Sequence, residues 1–121
     1  MPARILIVDD DESYLAGIKE WLETAGYDTI VAKTYEDGKR AIAGSAPHLV
    51  IVDIRLGAFN GLQLISSSNV KMPAIVVTGF EDPVLRADAA AFGASYLVKP
   101  VVPSVLLAMI QQQLAPLTAA G

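Results

Sequence analysis

The sequence predicts an α/β domain in which five strands alternate with five helices on one parallel sheet. Three observations predict it. Short apolar runs at residues 5–8, 49–52, 74–77 and 96–98 are each bounded by breakers. Being apolar at nearly every position, they read as strands buried on both faces. Between them lie segments of helical length with apolar residues three and four apart. Finally, each run ends at a polar residue: Asp9-Asp10, Asp53, Thr78 and Lys99. In a parallel sheet these endings gather at the carboxyl edge, where ligands of open α/β sheets bind.

The bulk composition narrows the function. The 121 residues suit one domain around one core, expected over about residues 4–114 with a frayed tail at 115–121. A hydrophobic content of 53% excludes a disordered chain. No apolar stretch approaches the roughly 20 residues that span a bilayer, so no membrane contact is expected. The first residues run almost directly into a strand and leave no room for a signal peptide, which makes a cytoplasmic location the expectation. The absence of Cys excludes disulfides and thiol chemistry. A net charge of −4 provides no basic footprint for direct nucleic-acid binding.

The elements follow in order. Arg4–Val8 is the first strand, and residues 11 to about 25 form the first helix. Leu15, Ile18 and Leu22 share its inner face, with Trp21 and Ala25 beside them, and Gly26 ends it. Asp28–Ala32 is a more polar strand suited to an edge. Thr34 caps the second helix, with Asp37 in its first turn, and that helix ends near Ala43-Gly44. Pro47 precedes the third strand. A loop from Asp53 to Asn60 leads to a weak third helix from Gly61, because Ser66-Ser67-Ser68-Asn69 competes with helical hydrogen bonding. Pro73 precedes the fourth strand. Asp82-Pro83 starts the fourth helix, Asp as cap and Pro at the first position, and Gly93 stops it. The last helix runs from about Pro103 to Leu114. Strand–helix alternation implies right-handed crossovers and helices on both faces.

Three carboxylates (Asp9, Asp10, Asp53), the Thr78 hydroxyl and the Lys99 ammonium at one sheet edge describe a site for a divalent cation and a phosphoryl group. Singly, each has a bland reading: an acidic helix start, a loop cap, a turn, a solvated lysine. Together those readings need four coincidences. The motifs Ile-Leu-Ile-Val-Asp9-Asp10-Asp11-Glu12, Val-Asp53 with Gly61 eight residues on, Val-Val-Thr78-Gly79 and Gly93-Ala94-Ser95-Tyr96-Leu97-Val98-Lys99-Pro100 resemble the receiver domain of bacterial two-component response regulators. The resemblance implies a flavodoxin-like (βα)5 doubly wound sheet of order 2-1-3-4-5. It implies Asp53 as phosphoacceptor from a sensor histidine kinase or phosphotransfer protein. Mg2+, replaceable by Mn2+, would be held by Asp9, Asp10, Asp53 and the backbone carbonyl of Arg55. Thr78, Gly79 and Lys99 would bind the phosphoryl oxygens. Thr78 and Tyr96 would switch the surface of the fourth helix, fifth strand and fifth helix, the Tyr96 ring turning inward. Lys99-Pro100 would be a cis peptide. Crowding the three carboxylates should raise at least one pKa.

The sequence departs from the resemblance at Gly57, where Pro is frequent, at Asn60, where Asp is frequent, and at Val101, where Phe is usual. A more mobile loop is expected from the first two. Arg55 and Phe80 are expected to tune the lifetime of the phosphoform, Phe80 by shielding the attacking water and Arg55 by pairing with a phosphate oxygen. Residues 100–121 carry no charge, and Val105-Leu106-Leu107-Ala108-Met109-Ile110 is apolar around the helix. An apolar face left after packing marks an interface, here a homodimer or partner contact through the fourth helix, fifth strand and fifth helix. His48 reads as a boundary residue, and Trp21, Met72 and Met109 as packing. Two rivals stand beside this reading. A phosphatase of the haloacid dehalogenase type needs a second acid where Arg55 stands. A receiver-like interaction module not regulated by phosphorylation would usually have lost an acidic residue or the lysine.

Overall fold

The computed structural model describes residues 2–68 and 72–120, with side chains described to residue 115. The elements are β1 (Arg4–Val8), α1 (Glu12–Thr24), β2 (Asp28–Ala32), α2 (Tyr35–Ser45), β3 (Leu49–Asp53), α3 (Gly61–Ser66), β4 (Ala74–Thr78), α4 (Pro83–Ala91), β5 (Ser95–Val98) and α5 (Pro103–Ala120). The five strands form one sheet in the order β2-β1-β3-β4-β5 with every neighbouring pair parallel. This is the flavodoxin-like order expected from the sequence. The chain reverses its direction of winding between β1 and β3, so a crevice opens past their carboxyl ends.

Strand alternation divides the core into two layers. Ile5, Ile7, Leu49, Ile51, Ile75 and Val77 pack with Leu15, Ile18 and Leu22 of α1 and Leu106, Ile110 and Leu114 of α5. Leu6, Val8, Val50, Val52, Ala74 and Val76 pack with Ile42 of α2, Leu62 and Leu64 of α3 and Ala89 of α4. Each fully buried aliphatic side chain stabilises the fold by about 1.5–3 kcal/mol relative to exposure. Covering both faces explains why the central strands are apolar at every position.

Helix starts follow side-chain chemistry. The side chains of Asp11, Thr34 and Asp82 accept from Tyr14 N, Asp37 N and Val84 N, capping α1, α2 and α4. Asn60 caps α3 and the Gln63 Oε1 accepts in return from the Asn60 N–H, a capping box absent from the sequence expectation. Trp21, Met72 and Met109 pack against the core as expected, whereas Ala25 is exposed. His48 is exposed and its Nδ1 accepts from the Arg4 N–H at 2.9 Å.

Two expectations are corrected. The segment after Asp53 is not a plain loop: Arg55–Leu56 pairs antiparallel with Phe59–Asn60. Gly57 takes a left-handed φ of 61° in the connecting turn, where proline's fixed φ cannot go. The Phe59 ring stacks on Tyr35 of α2 at 4.4 Å and 15°. Secondly, α5 does not stop near Leu114 but continues to Ala120. Asn69 and Gly121 lie outside the described residues. Among those residues, no helix is long and apolar enough to cross a membrane.

Candidate functional site

Parallel register sets the strand ends level. Val8 pairs with Ala32 and Val52, Asp53 lies beside Val77, and Thr78 beside Val98. Asp9 and Asp10 leave β1, Asp53 ends β3, Thr78 ends β4 and Lys99 follows β5. An open cleft of about 350 Å3 at this edge is lined by Asp9, Asp10, Asp11, Asp53, Arg55, Gly79, Phe80 and Lys99.

Lys99 is the hub. Its Nζ donates to Asp53 Oδ2 at 2.8 Å and to Asp9 Oδ2 at 3.2 Å. The other oxygens are held by the backbone: Asp53 Oδ1 accepts from the Arg55 N–H at 2.7 Å, and Asp9 Oδ1 from the Asp11 N–H at 2.9 Å. Both carboxylates are thus fixed in rotamer and largely buried, Asp9 at 1% exposure and Asp53 at 8%. Burial pushes the Asp9 carboxyl up to about 6, with the Asp53 charge adding to it and the Asp11 hydrogen bond and Lys99 opposing. The expected carboxylate shift is present, but desolvation is its leading cause and like-charge repulsion comes behind. Burial alone depresses the Lys99 ammonium. The Asp53 hydrogen bond and the charges of Asp53 and Asp9 more than reverse this and leave it raised.

Thr78 is fully buried and its Oγ1 has no hydrogen-bond partner, while its backbone carbonyl accepts from the Lys99 N–H at 2.7 Å. A buried hydroxyl without a partner carries a cost of about 1–3 kcal/mol that an arriving acceptor relieves. Gly79 presents open space where a side chain would begin. The Arg55 guanidinium lies 5.0 Å from the Phe80 ring centroid, and both side chains are exposed at the mouth of the cleft.

The position of Gly61 is dictated by the site. A Cβ there would lie 2.2 Å from the Asp53 carbonyl oxygen. The Gly61 N–H donates to the Ile54 carbonyl at 2.8 Å, drawing the start of α3 against the end of β3.

Tyr96 is already inward, 9% exposed. Its hydroxyl accepts from the Asp82 N–H at 3.2 Å and donates toward the Phe80 carbonyl at 3.4 Å. Arg86, paired with both Glu81 oxygens at 2.8 and 3.0 Å, covers the ring at 4.5 Å. Lys99-Pro100 is cis, as expected from the sequence.

Sequence reasoning missed Tyr14, whose ring lies 4.2 Å from Lys99 Nζ and whose buried hydroxyl has no partner. Burial pushes that phenol up to about 12. Its place in the first turn of α1, three residues past the cap Asp11, gave no signal that distinguishes it from a packing residue.

The donor set is hard oxygen, which suits Mg2+. Among the described residues no group of three or more His, Cys, Asp or Glu side chains is arranged to hold a metal ion by itself. Asp10 is exposed, and Lys99 bridges the other two carboxylates. Mg2+ asks for only one or two carboxylates, with waters and phosphate oxygens completing its shell, so the residues fit it.

Fold and site together define a flavodoxin-like α/β domain with an acidic, lysine-bridged cleft at its switch point. The chain belongs to the response regulator receiver domain family, whose pattern it matches over residues 5–111. It is 32% identical over 100 residues to the photosynthetic apparatus regulatory protein RegA of Rhodobacter capsulatus, covering 79% of this chain and 54% of RegA. It is 32% identical over 115 residues to the alginate biosynthesis transcriptional regulatory protein AlgB of Pseudomonas aeruginosa, covering 92% of this chain and 26% of AlgB. The chain therefore spans about half the length of the first relative and a quarter of the second. Among solved structures, a CheY-like response regulator receiver domain protein from Methanospirillum hungatei superposes with a TM-score of 0.92 at 33% identity, covering 100% of both chains. The BeF3-activated receiver domain of Klebsiella pneumoniae RstA gives a TM-score of 0.83 at 26% identity, over 92% of this chain and 97% of that one.

Proposed function

We propose that this receiver domain is a phosphorylation switch in which Asp53 takes a phosphoryl group from the phosphohistidine of a sensor kinase or phosphotransfer protein. The observation that carries this reading is the Lys99 ammonium bridging Asp53 and Asp9 beside the unpartnered Thr78 hydroxyl. A carboxylate is a poor nucleophile toward an anionic phosphoryl group unless positive charge offsets the repulsion. Bound Mg2+ supplies part of that charge, and Asp9, Asp10, Asp53 and the Arg55 carbonyl are the residues that would hold it. The Asp53 carboxylate attacks phosphorus, the P–N bond breaks, and its electron pair returns to the histidine nitrogen, leaving an aspartyl phosphate. Lys99 then pairs with a phosphoryl oxygen, and the Thr78 hydroxyl donates to another. The domain is a signalling switch that assists its own phosphorylation and dephosphorylation, with the cytoplasm as its proposed location.

The inward Tyr96, its hydroxyl on the Phe80 carbonyl, is the conformation that phosphorylation is proposed to stabilise. The α4-β5-α5 face is the proposed output surface. The core uses Leu106, Ile110 and Leu114 of α5 and half-buries Leu107 and Met109, so less of that helix is left apolar and free than its sequence promised. Val84 and Phe92 at α4 and Val102 and Val105 at α5 remain exposed, and they support a homodimer or partner contact there.

The test is intact mass after incubation with phosphoramidate or acetyl phosphate. A gain of one phosphoryl group that requires Mg2+ and is lost in Asp53→Asn is expected. No gain in folded protein would favour the interaction module that ignores phosphate. The Arg55–Phe80 pair at the cleft mouth also yields an expected result: Phe80→Glu should speed autodephosphorylation several-fold by opening the mouth to the attacking water. An unchanged or slower decay of the phosphoform would refute that shielding role.

A further inference from the structure

The contacts of Lys99 include one that the acidic cluster does not explain. The Tyr14 ring lies 4.2 Å from Nζ, well inside cation–π range. Tyr14 sits in the first turn of α1, fixed by the Asp11 cap, which accepts from the Tyr14 N–H itself at 3.1 Å. The ring packs against the α1–α5 core layer. It is therefore a rigid surface facing a flexible lysine.

We propose that Tyr14 is a positioning residue that holds the Lys99 ammonium over Asp53 with the face of its ring. This rests on the phosphoacceptor reading above and goes beyond it, because it assigns a role in that chemistry to a residue of α1 outside the four strand-end motifs. The physical need is plain. Lysine is a point charge on a flexible four-carbon stem, and the Lys99 side chain is 27% exposed, so solvent competes for it. Asp53 and Asp9 hold it electrostatically in the resting state. The Asp53 contact is consumed by the reaction, since that carboxylate becomes an acyl phosphate. The ring contact is unchanged by the reaction and keeps Nζ in register while its partner changes. The hydroxyl plays no part in this, for it is buried without a partner. The ring alone is therefore sufficient, and Phe should serve as well as Tyr.

The experiment compares wild type, Tyr14→Phe and Tyr14→Leu in two measurements. Proton NMR reads the ring-current shift of the Lys99 methylene protons next to Nζ. Intact mass reads the rate of phosphorylation by phosphoramidate with Mg2+. The proposal expects an upfield shift in wild type and Phe, its loss in Leu, and phosphorylation slowed about fivefold in Leu and restored in Phe. Leu keeps most of the apolar filling, so a purely structural Tyr14 would leave the rate unchanged. Wild type without an upfield Lys99 shift overturns the proposal whatever the variants do, including when the Leu variant fails to fold. A Leu variant as fast as wild type, or slow with the shift intact, overturns it as well. A wild type that takes no phosphoryl group overturns the phosphoacceptor reading itself and this role with it, an outcome distinct from equal rates in Tyr and Leu.

Discussion

Replacing Gly61 with Ala is expected to disable the domain more severely than any surface change. The new Cβ would sit 2.2 Å from the Asp53 carbonyl oxygen and 3.0 Å from both the Asp53 carbonyl carbon and a Val52 methyl. Two of these three neighbours are backbone atoms of the central strand, so no rotamer change relieves the clash. Either α3 moves out or Asp53 moves away from Lys99. Overpacking at a site that cannot relax costs about 3 kcal/mol, which for a domain of this size lowers Tm by about 10 °C. Because the displaced residue is Asp53, the fraction phosphorylated should also fall in protein that remains folded. Thermal melting followed by intact-mass phosphorylation below the midpoint checks both. A variant with wild-type Tm and rate would mean that the backbone at β3 yields far more easily than its burial implies.

Asp9→Asn is expected to act in the opposite direction on stability while damaging function. Burial and the Asp53 charge hold the Asp9 carboxyl near 6 instead of 3.8. The folded state therefore binds more protons than the unfolded chain between those values. The stability this group contributes is present below 3.8 and is lost as pH rises through about 6. At pH 7.5 the metal-free fold carries an ionised, buried Asp9. Holding that charge costs the fold on the order of 3 kcal/mol, and Asn removes much of that cost while its carbonyl can still accept from the Asp11 N–H. That figure is already net of the attraction to Lys99, which opposes the shift. Melts in EDTA across pH 4–8 should show the variant more stable than wild type at pH 7.5 and the difference vanishing toward pH 4. Mg2+ should raise the wild-type Tm more than that of the variant. A variant less stable than wild type at pH 7.5 would mean that the Lys99–Asp9 pair outweighs the burial of the charge.

The parts of the fold that could be read from sequence are those where one physical signal dominates. Strands covered on both faces must be apolar throughout, which made β1, β3 and β4 plain. Asp11, Thr34 and Asp82 announce helix starts because short polar side chains cap them. The hairpin of Arg55–Leu56 with Phe59–Asn60 was not legible, since two-residue strands have no period to read. It is favoured by a tertiary contact, the Tyr35–Phe59 stack, that local sequence does not encode. The extension of α5 past Leu114 was hidden by Pro116, which in a sequence reads as the end of a helix, and by small uncharged neighbours that carry no amphipathic stripe. At the site, strand-end position sufficed to place Asp9, Asp53, Thr78 and Lys99 together. Tyr14 escaped because its partner Lys99 lies at the far end of the chain, and a tyrosine in a first helical turn reads as ordinary packing. The inward Tyr96 depends on contacts with Asp82 and Arg86 across α4 that no spacing rule predicts.

The central claim is that Asp53 receives the phosphoryl group, and the most direct measurement is chemical trapping at that residue. An aspartyl phosphate is reduced by borohydride to homoserine, whereas free aspartate and phosphoserine are not. Peptide mapping of protein treated with phosphoramidate, Mg2+ and then borohydride should find homoserine at position 53 alone, and none when Mg2+ is replaced by EDTA. Homoserine at another aspartate, or none at position 53 in folded protein, would contradict the account.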